Sequence, residues 1–136
     1  MNTGTTYIIV DDDPLSNTIC TLMLKRTLHE VGITTFTLPW DGLVFIQNNM
    51  NRLTTHAVLF LDINMPVLTG WDFLGHYENF SEEIRKQISI YLLSSSIHMR
   101  DRDRAKKHAC IKGFICKPLT TESILTIAEN EFQRTF

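Results

Sequence analysis

The stretch AVLFL, residues 57–61, is followed directly by Asp62 and decides the fold of this 136-residue chain. It is apolar at every position and lacks the polar alternation of a strand that has one face in water. Such a run is typical of a central strand of a parallel sheet, which is covered on both faces. Residues 7–10, YIIV, have the same character and are followed by three aspartates. The sequence therefore predicts a buried parallel sheet with acidic residues at two strand ends.

Short apolar runs alternate along the chain with longer helical patterns, which is typical of repeated βα units. The predicted strands are residues 7–10, 33–37, 57–61, 88–93 and 114–116. The predicted helices are residues 14–31, 40–49, 70–77, 99–108 and 121–132. The last helix carries an apolar stripe that can close over one face of the sheet. Its members are Ile124, Leu125, Ala128 and Phe132.

Length and composition limit the class of protein. With 136 residues, of which 43% are apolar, we expect one domain over residues 1–136 and no output domain. The net charge of -2 gives no long-range positive field for nucleic acid or an acidic membrane surface. The basic residues of the segment 100–107 alternate with two aspartates, which indicates a solvated helix face.

No apolar run approaches the roughly 18 residues of a membrane span, and the first six residues lack the layout of a signal peptide. We therefore expect a cytoplasmic protein that does not insert into the membrane. Cys20, Cys110 and Cys116 form no C-x-x-C pair and lie within or beside apolar segments. Their predicted state is reduced and buried.

Polar side chains directly follow four of the five predicted strands. They are the aspartates at 11–13 after the first, Asp62 after the third, Ser94 after the fourth and Lys117 after the fifth. Because the carboxyl ends of parallel strands open on one edge of the sheet, beside the topological switch point, we expect these residues to share one pocket.

Carboxylates gathered in one cleft repel each other unless a cation neutralises them. Mg²⁺ suits oxygen ligands and takes one or two carboxylates, waters and a phosphate oxygen, and Mn²⁺ is the alternative ion. Asp11, Asp12 and Asp62 would supply the carboxylates. An aspartate can itself attack phosphorus, and Lys117 would add positive charge. The pattern predicts a metal-dependent phosphoryl-transfer site.

From residue 7 to about residue 132 the sequence resembles the receiver domain of two-component response regulators, in particular the stand-alone, chemotaxis-regulator-like kind. The matching motifs, in order, are IIVDD at 8–12, LDINMP at 61–66 with Gly70, LLSSS at 92–96 and KPLT at 117–120. The resemblance implies an α/β, flavodoxin-like, doubly wound fold, in which a five-stranded parallel sheet of order 2-1-3-4-5 is flanked by five helices.

The resemblance also implies roles for the acidic residues. Asp62 would be the phosphoacceptor, Asp12 would bind the metal directly and Asp11 would bind it partly through water. The backbone carbonyl of Asn64 would be a further metal ligand.

Three other positions match the motifs of the resemblance. The hydroxyl of Ser94 would bond the phosphoryl group, Lys117 would contact the same group, and Phe114 stands at the position of the switch aromatic. The Lys117–Pro118 peptide is expected to be cis, since an X-Pro bond is the common place for that geometry.

By the same resemblance the protein is a response regulator and not an enzyme with a separate substrate. It would take its phosphoryl group from a histidine kinase or a histidine phosphotransfer protein, and would catalyse only its own phosphorylation and dephosphorylation. It would signal through the fourth predicted helix, the fifth strand and the fifth predicted helix. A downstream protein or a second copy would bind there, without direct nucleic-acid contact.

Four alternatives accompany this interpretation. A one-residue shift would give the metal role to Asp12 and Asp13, and Asp-Asp-Asp-Pro taken alone is more often a helix-capping turn. A haloacid-dehalogenase-type phosphatase also uses an aspartate at a strand end, but needs an acid two residues later, where this chain has Asn64. A degenerate receiver acting as a binding module would normally lack an acid or the lysine, and this sequence keeps them all.

Overall fold

The computed structural model describes residues 5–50, 56–96 and 98–134. The strands of this part of the chain are β1 (Thr5–Val10), β2 (Gly32–Phe36), β3 (His56–Asp62), β4 (Ile88–Ser94) and β5 (Ile111–Cys116). Its helices are α1 (Pro14–Leu28), α2 (Pro39–Asn49), α3 (Gly70–Tyr77), α4 (Glu82–Lys86), α5 (Met99–Ala105) and α6 (Thr121–Arg134). None of these helices is both long and apolar enough to cross a membrane.

The five strands form one parallel sheet in the order β2-β1-β3-β4-β5. β3 is the central strand, and its last residue, Asp62, is in register with Leu93 of β4. The chain passes from β1 to β2 on one side and returns to β3 on the other, so the switch point lies between the ends of β1 and β3. The predicted flavodoxin-like α/β fold and strand order are confirmed.

Each face of the sheet is covered by its own apolar core. Successive strand residues point to opposite faces, so Ile8 and Leu59 belong to the core under α2 and α3. Ile9 and Phe60 belong to the core on the other face, with residues of α1 and α6. Burial of each such side chain stabilises the fold by about 2 kcal/mol. This two-sided cover explains why the runs at 7–10 and 57–61 are apolar throughout.

The predicted number of five helices is wrong, because a short additional helix, α4, lies between α3 and β4. The Ser81 side chain caps it by accepting a hydrogen bond from the Ile84 amide, and Ile84 is the buried residue of the helix. A helix of five residues is too short to show an apolar repeat. The fourth and fifth predicted helices are therefore α5 and α6.

The apolar stripe predicted for the last helix is only partly correct. Ile124 is buried, but Leu125 is 51% exposed. The buried positions of α6 are Ile124, Ile127 and Glu131, whereas the Phe132 side chain lies outside the described residues. Spacings of three and four fit both sets of residues, and a buried acid has no hydrophobic pattern by which it could be predicted.

The three cysteines are free, as predicted, but they are not all buried. Cys20 of α1 is buried, Cys110 is half-buried, and Cys116 at the end of β5 is exposed. β5 is an edge strand, which pairs with β4 alone among the strands of the described residues. Its outer side chains are therefore covered less completely than those of β3.

Candidate functional site

The candidate site lies at the carboxyl ends of β1 and β3. Carboxylate oxygens of Asp11, Asp12 and Asp62 all lie within 4.8 Å of one another. Asp11 and Asp62 are buried, and Asp12 is exposed in the loop that follows β1. The topology thus brings together acids that are about fifty residues apart in the chain. This convergence is the one expected at the switch point of a parallel sheet.

The Asp11 carboxylate is held by three donors. Its Oδ1 accepts from the Asp13 amide at 3.0 Å, and its Oδ2 accepts from Ser16 Oγ at 2.7 Å and Lys117 Nζ at 2.6 Å. Asn17 Nδ2 donates to the Asp11 carbonyl at 3.0 Å. Ser16 and Asn17 were not among the predicted site residues. Their position in the first turn of α1, directly after the acids, was the available indication.

Asp13 has a different role from its two neighbours. Its side chain accepts a hydrogen bond from the Leu15 amide at 3.0 Å and caps α1, with Pro14 as the first helical residue. The capping interpretation therefore applies to Asp13, and the acid cluster contains Asp11 and Asp12. The geometry favours the earlier pair as metal ligands over Asp12 and Asp13.

Lys117 places an ammonium group between the two buried acids. Its Nζ lies 2.6 Å from Asp11 Oδ2 and 3.5 Å from Asp62 Oδ1. The Lys117 amide donates to the Ser94 carbonyl at 2.9 Å, which joins the ends of β4 and β5, and the Lys117–Pro118 peptide bond is cis. Burial by itself would lower the pKa of Lys117, because it disfavours the charged ammonium form. The hydrogen bond to Asp11 and the negative charges of Asp11 and Asp62 outweigh this effect, so the pKa of Lys117 is raised.

Burial raises the pKa of Asp62 to about 6, and the neighbouring charge of Asp11 adds to this effect. The charge of Lys117 and the hydrogen bond from the Asn64 amide act in the opposite direction. Without a metal, the Asp62 carboxyl group therefore holds its proton up to a higher pH than an ordinary aspartate does. A divalent cation would reverse this preference, because it favours the carboxylate form.

Asn64 connects the loop after β3 to the end of β4. Its amide nitrogen lies 3.4 Å from Asp62 Oδ1, and its side-chain Nδ2 lies 3.3 Å from Ser94 Oγ. Ser94 is fully buried, and its hydroxyl donates to the Ser96 carbonyl at 2.6 Å. Sequence reasoning assigned Asn64 only a backbone role and missed this side-chain bridge.

Gly70 allows α3 to begin close to the end of β3, where Asp62 lies. A Cβ atom at this position would lie 2.7 Å from Ile63 Cα and 2.8 Å from the Asp62 carbonyl oxygen, so only glycine fits without a backbone shift. The Gly70 amide donates to the Ile63 carbonyl at 3.1 Å. Thr69 and Asp72 form a reciprocal capping box at the start of the helix.

Phe114 lies in the middle of β5, in register with Leu92. Its half-buried ring packs against the core beneath α2 and α3 and lies 5.9 Å from the guanidinium carbon of Arg102. Phe114 thus contacts α5 through Arg102, while Lys117, three residues later, contacts the acids.

The acid triad is positioned to hold a metal ion. Asp11, Asp12 and Asp62 offer only carboxylate oxygens, and the hard oxygen ligands of this cluster fit Mg²⁺ or Mn²⁺ better than a soft, thiolate-preferring ion.

Comparison with protein families decides the assignment. The sequence model of the response regulator receiver domain matches residues 7–129. The chain belongs to this family. Receiver domains are components of two-component signalling systems and are not conventional enzymes.

Solved structures of receiver proteins have the same fold. A response regulator receiver protein from Dyadobacter fermentans is 22% identical and has a TM-score of 0.85, with 94% of this chain and 98% of that chain covered. A two-component response regulator from Cytophaga hutchinsonii is 22% identical, with a TM-score of 0.84 and coverage of 97% and 99%. Chemotaxis protein CheY4 of Vibrio cholerae is 21% identical, with a TM-score of 0.71 and coverage of 94% and 98%. A search of curated proteins gave no significant match.

Proposed function

We propose that this receiver domain is a phosphorylation switch, which accepts a phosphoryl group on Asp62 in a reaction that depends on Mg²⁺ or Mn²⁺. The donor would be a histidine kinase or a histidine phosphotransfer protein. The observation that carries the proposal is the position of the Asp62 carboxylate, which lies beside the Lys117 ammonium at 3.5 Å and within 4.8 Å of the other two acids. A nucleophile, a cation and a candidate metal site therefore meet at one point.

In the proposed reaction a carboxylate oxygen of Asp62 attacks the phosphorus atom. The new P–O bond forms while the P–N bond of a phosphohistidine donor breaks, and the leaving imidazole keeps the bonding electron pair. The Lys117 ammonium, now hydrogen-bonded to Asp11, would turn towards the phosphoryl oxygens and offset their charge. Asp11, Asp12, Asp62 and the Asn64 carbonyl would hold the metal, which supplies further positive charge.

The residue two positions after the nucleophile favours a switch over a phosphatase of the haloacid dehalogenase type. Asn64 cannot take or give a proton as the acid of that enzyme class does. Hydrolysis of the aspartyl phosphate would therefore be slow, as a switch requires. The presence of both metal-binding acids and of Lys117 argues against a degenerate receiver that only binds a partner.

Phosphorylation would act on the surface through Ser94 and Phe114. A phosphoryl group on Asp62 offers the Ser94 hydroxyl a charged acceptor in place of the Ser96 carbonyl, to which it donates at 2.6 Å. Movement of Ser94 would open space for Phe114, whose ring contacts Arg102 of α5. The equilibrium between two arrangements of α5, β5 and α6 would then shift.

We further propose that a separate downstream protein or a second copy of this chain binds the surface formed by α5, β5 and α6. The same proposal includes that the protein acts as a single domain, that it is cytoplasmic and that it does not bind nucleic acid directly.

Labelling with acetyl phosphate and Mg²⁺, followed by intact-mass measurement, tests the phosphoacceptor. The wild type should gain one phosphoryl group and Asp62→Asn should gain none. Asp13→Asn is the matched control, because Asp13 caps α1 and should leave labelling unaffected. Equal labelling of wild type and Asp62→Asn would refute the assignment. Labelling that persists after chelation of the metal would refute the metal requirement.

A further inference from the structure

Helix α5 and the turn after it form a basic surface on an otherwise acidic protein. Residues 99–112 contain six Lys or Arg and two Asp, whereas the whole chain has 13 basic and 15 acidic side chains. A partner that is attracted by positive charge would therefore meet this segment first.

A shallow pocket lies on this surface, with a volume of about 590 Å³. Its lining residues are Arg100, Asp101, Asp103, Arg104, Lys107 and His108. The three Lys and Arg residues are separated by four and three positions, so they share one face of the helical turns. All three are exposed, which leaves their charged ends accessible to a ligand.

Contacts with α3 already hold two side chains of the pocket, Arg104 and His108, in place. The guanidinium carbon of Arg104 lies 4.6 Å from the centre of the Trp71 ring, and the His108 ring stacks on the same tryptophan at 5.9 Å. His108 Nδ1 lies 2.6 Å from the Glu78 carboxylate. The rim of the pocket therefore already accommodates one acidic side chain. Held side chains lose less conformational freedom when a ligand binds.

We propose that this pocket binds an acidic segment of a partner protein, whose carboxylates pair with Arg100, Arg104 and Lys107. Nucleic acid fits less well, because Asp101 and Asp103 line the same pocket and would repel a continuous row of phosphates. A peptide can place its carboxylates apart and offer donors to the two aspartates. Binding of the acidic segment is expected without phosphorylation. Only the further expectation, that phosphorylation would adjust the surface of α5 and so change this binding, rests on the proposed switch function.

The test uses a fluorescein-labelled peptide of alternating Glu and Ser residues, with fluorescence anisotropy of the unphosphorylated, metal-free protein at low salt. Arg100→Glu with Lys107→Glu should weaken binding by about tenfold or more. Lys25→Glu with Arg26→Glu, at exposed positions of α1, changes the net charge equally and should weaken binding by less than about threefold. Arg100→Gln with Lys107→Gln gives a milder variant in case the charge reversal unfolds the protein, which circular dichroism will detect.

Amide NMR shifts on addition of the peptide should be concentrated in residues 99–108 and the Trp71 indole. Equal weakening by the pocket variant and the α1 control would mean that only overall charge attracts the peptide, and would overturn the proposal. A thymidine oligonucleotide that binds more tightly than the peptide would identify a nucleic-acid surface and overturn it as well. The absence of shifts in α5 at millimolar peptide has the same consequence. Because neither phosphate donor nor metal is present, these outcomes are independent of whether Asp62 accepts phosphate.

Discussion

Replacement of Glu131 by glutamine should destabilise the protein in a pH-dependent way. Glu131 of α6 is only 2% exposed, and its carboxylate accepts hydrogen bonds from Ser89 Oγ at 2.8 Å and Tyr91 Oη at 2.7 Å. It also pairs with His56 Nε2 at the start of β3. The carboxylate therefore ties α6 to two strands of the sheet, on the face opposite α3.

The pKa of Glu131 gives the size of the effect. Burial opposes the charged form, but the hydrogen bonds from His56, Tyr91 and Ser89 outweigh it and lower the pKa from 4.5 to about 2. A carboxyl group with a depressed folded-state pKa stabilises the fold above its unfolded pKa, and this stability is lost as the pH falls towards the folded value. A difference of about 2.5 pKa units corresponds to about 3 kcal/mol, of which about 1 should be lost by pH 4 and about 2 by pH 3.

The measurement is the free energy of unfolding in urea, followed by circular dichroism between pH 7 and pH 3. Glu131→Gln should be less stable than the wild type by about 2 to 3 kcal/mol at pH 7, and the gap should narrow as the pH falls. Glu129→Gln, an exposed position on the same helix, is the control and should change stability by less than about 0.5 kcal/mol. A gap between wild type and Glu131→Gln that stays constant from pH 7 to pH 3 would refute the reasoning.

Three further predictions concern the candidate site. Asp12→Ala should weaken Mg²⁺ binding by more than about tenfold and raise metal-free stability by about 1 kcal/mol, because one of three repelling carboxylates is removed. Isothermal titration and thermal unfolding measure both effects, and a comparable loss of Mg²⁺ affinity in Asp13→Ala would show that Asp12 and Asp13, rather than Asp11 and Asp12, hold the metal. Lys117→Met should slow labelling by acetyl phosphate about a hundredfold, since the main protein-borne cation is lost, and an unchanged labelling rate would contradict this. Binding of beryllium fluoride should shift the amide NMR signals of α5, β5 and α6, including that of Phe114, and the Ser94→Ala substitution should abolish these shifts. Shifts confined to the acid pocket would exclude the switching model.

The fold could be predicted because the polarity patterns that indicate it lie within short stretches of the chain. An apolar run such as residues 57–61 must be covered on both faces wherever it lies, and parallel strands place their carboxyl ends on one edge. The order of polar and apolar residues is therefore enough to assign the acids after β1 and β3 and the lysine after β5 to one pocket. The short helix α4 could not be predicted in this way, since five residues show no periodicity.

By itself, the sequence determined the strand order, the two-sided core and the group of residues at the strand ends, since each follows from polarity patterns along the chain or from motif resemblance. Only the tertiary structure decided the contacts between distant side chains. It placed Glu131 of α6 against partners on β3 and β4, joined Asn64 to Ser94, and brought both Arg104 and His108 into contact with Trp71. Such contacts depend on how the helices pack against the sheet. When two residues are separated by thirty or more positions, the sequence around each of them does not indicate that they will be in contact.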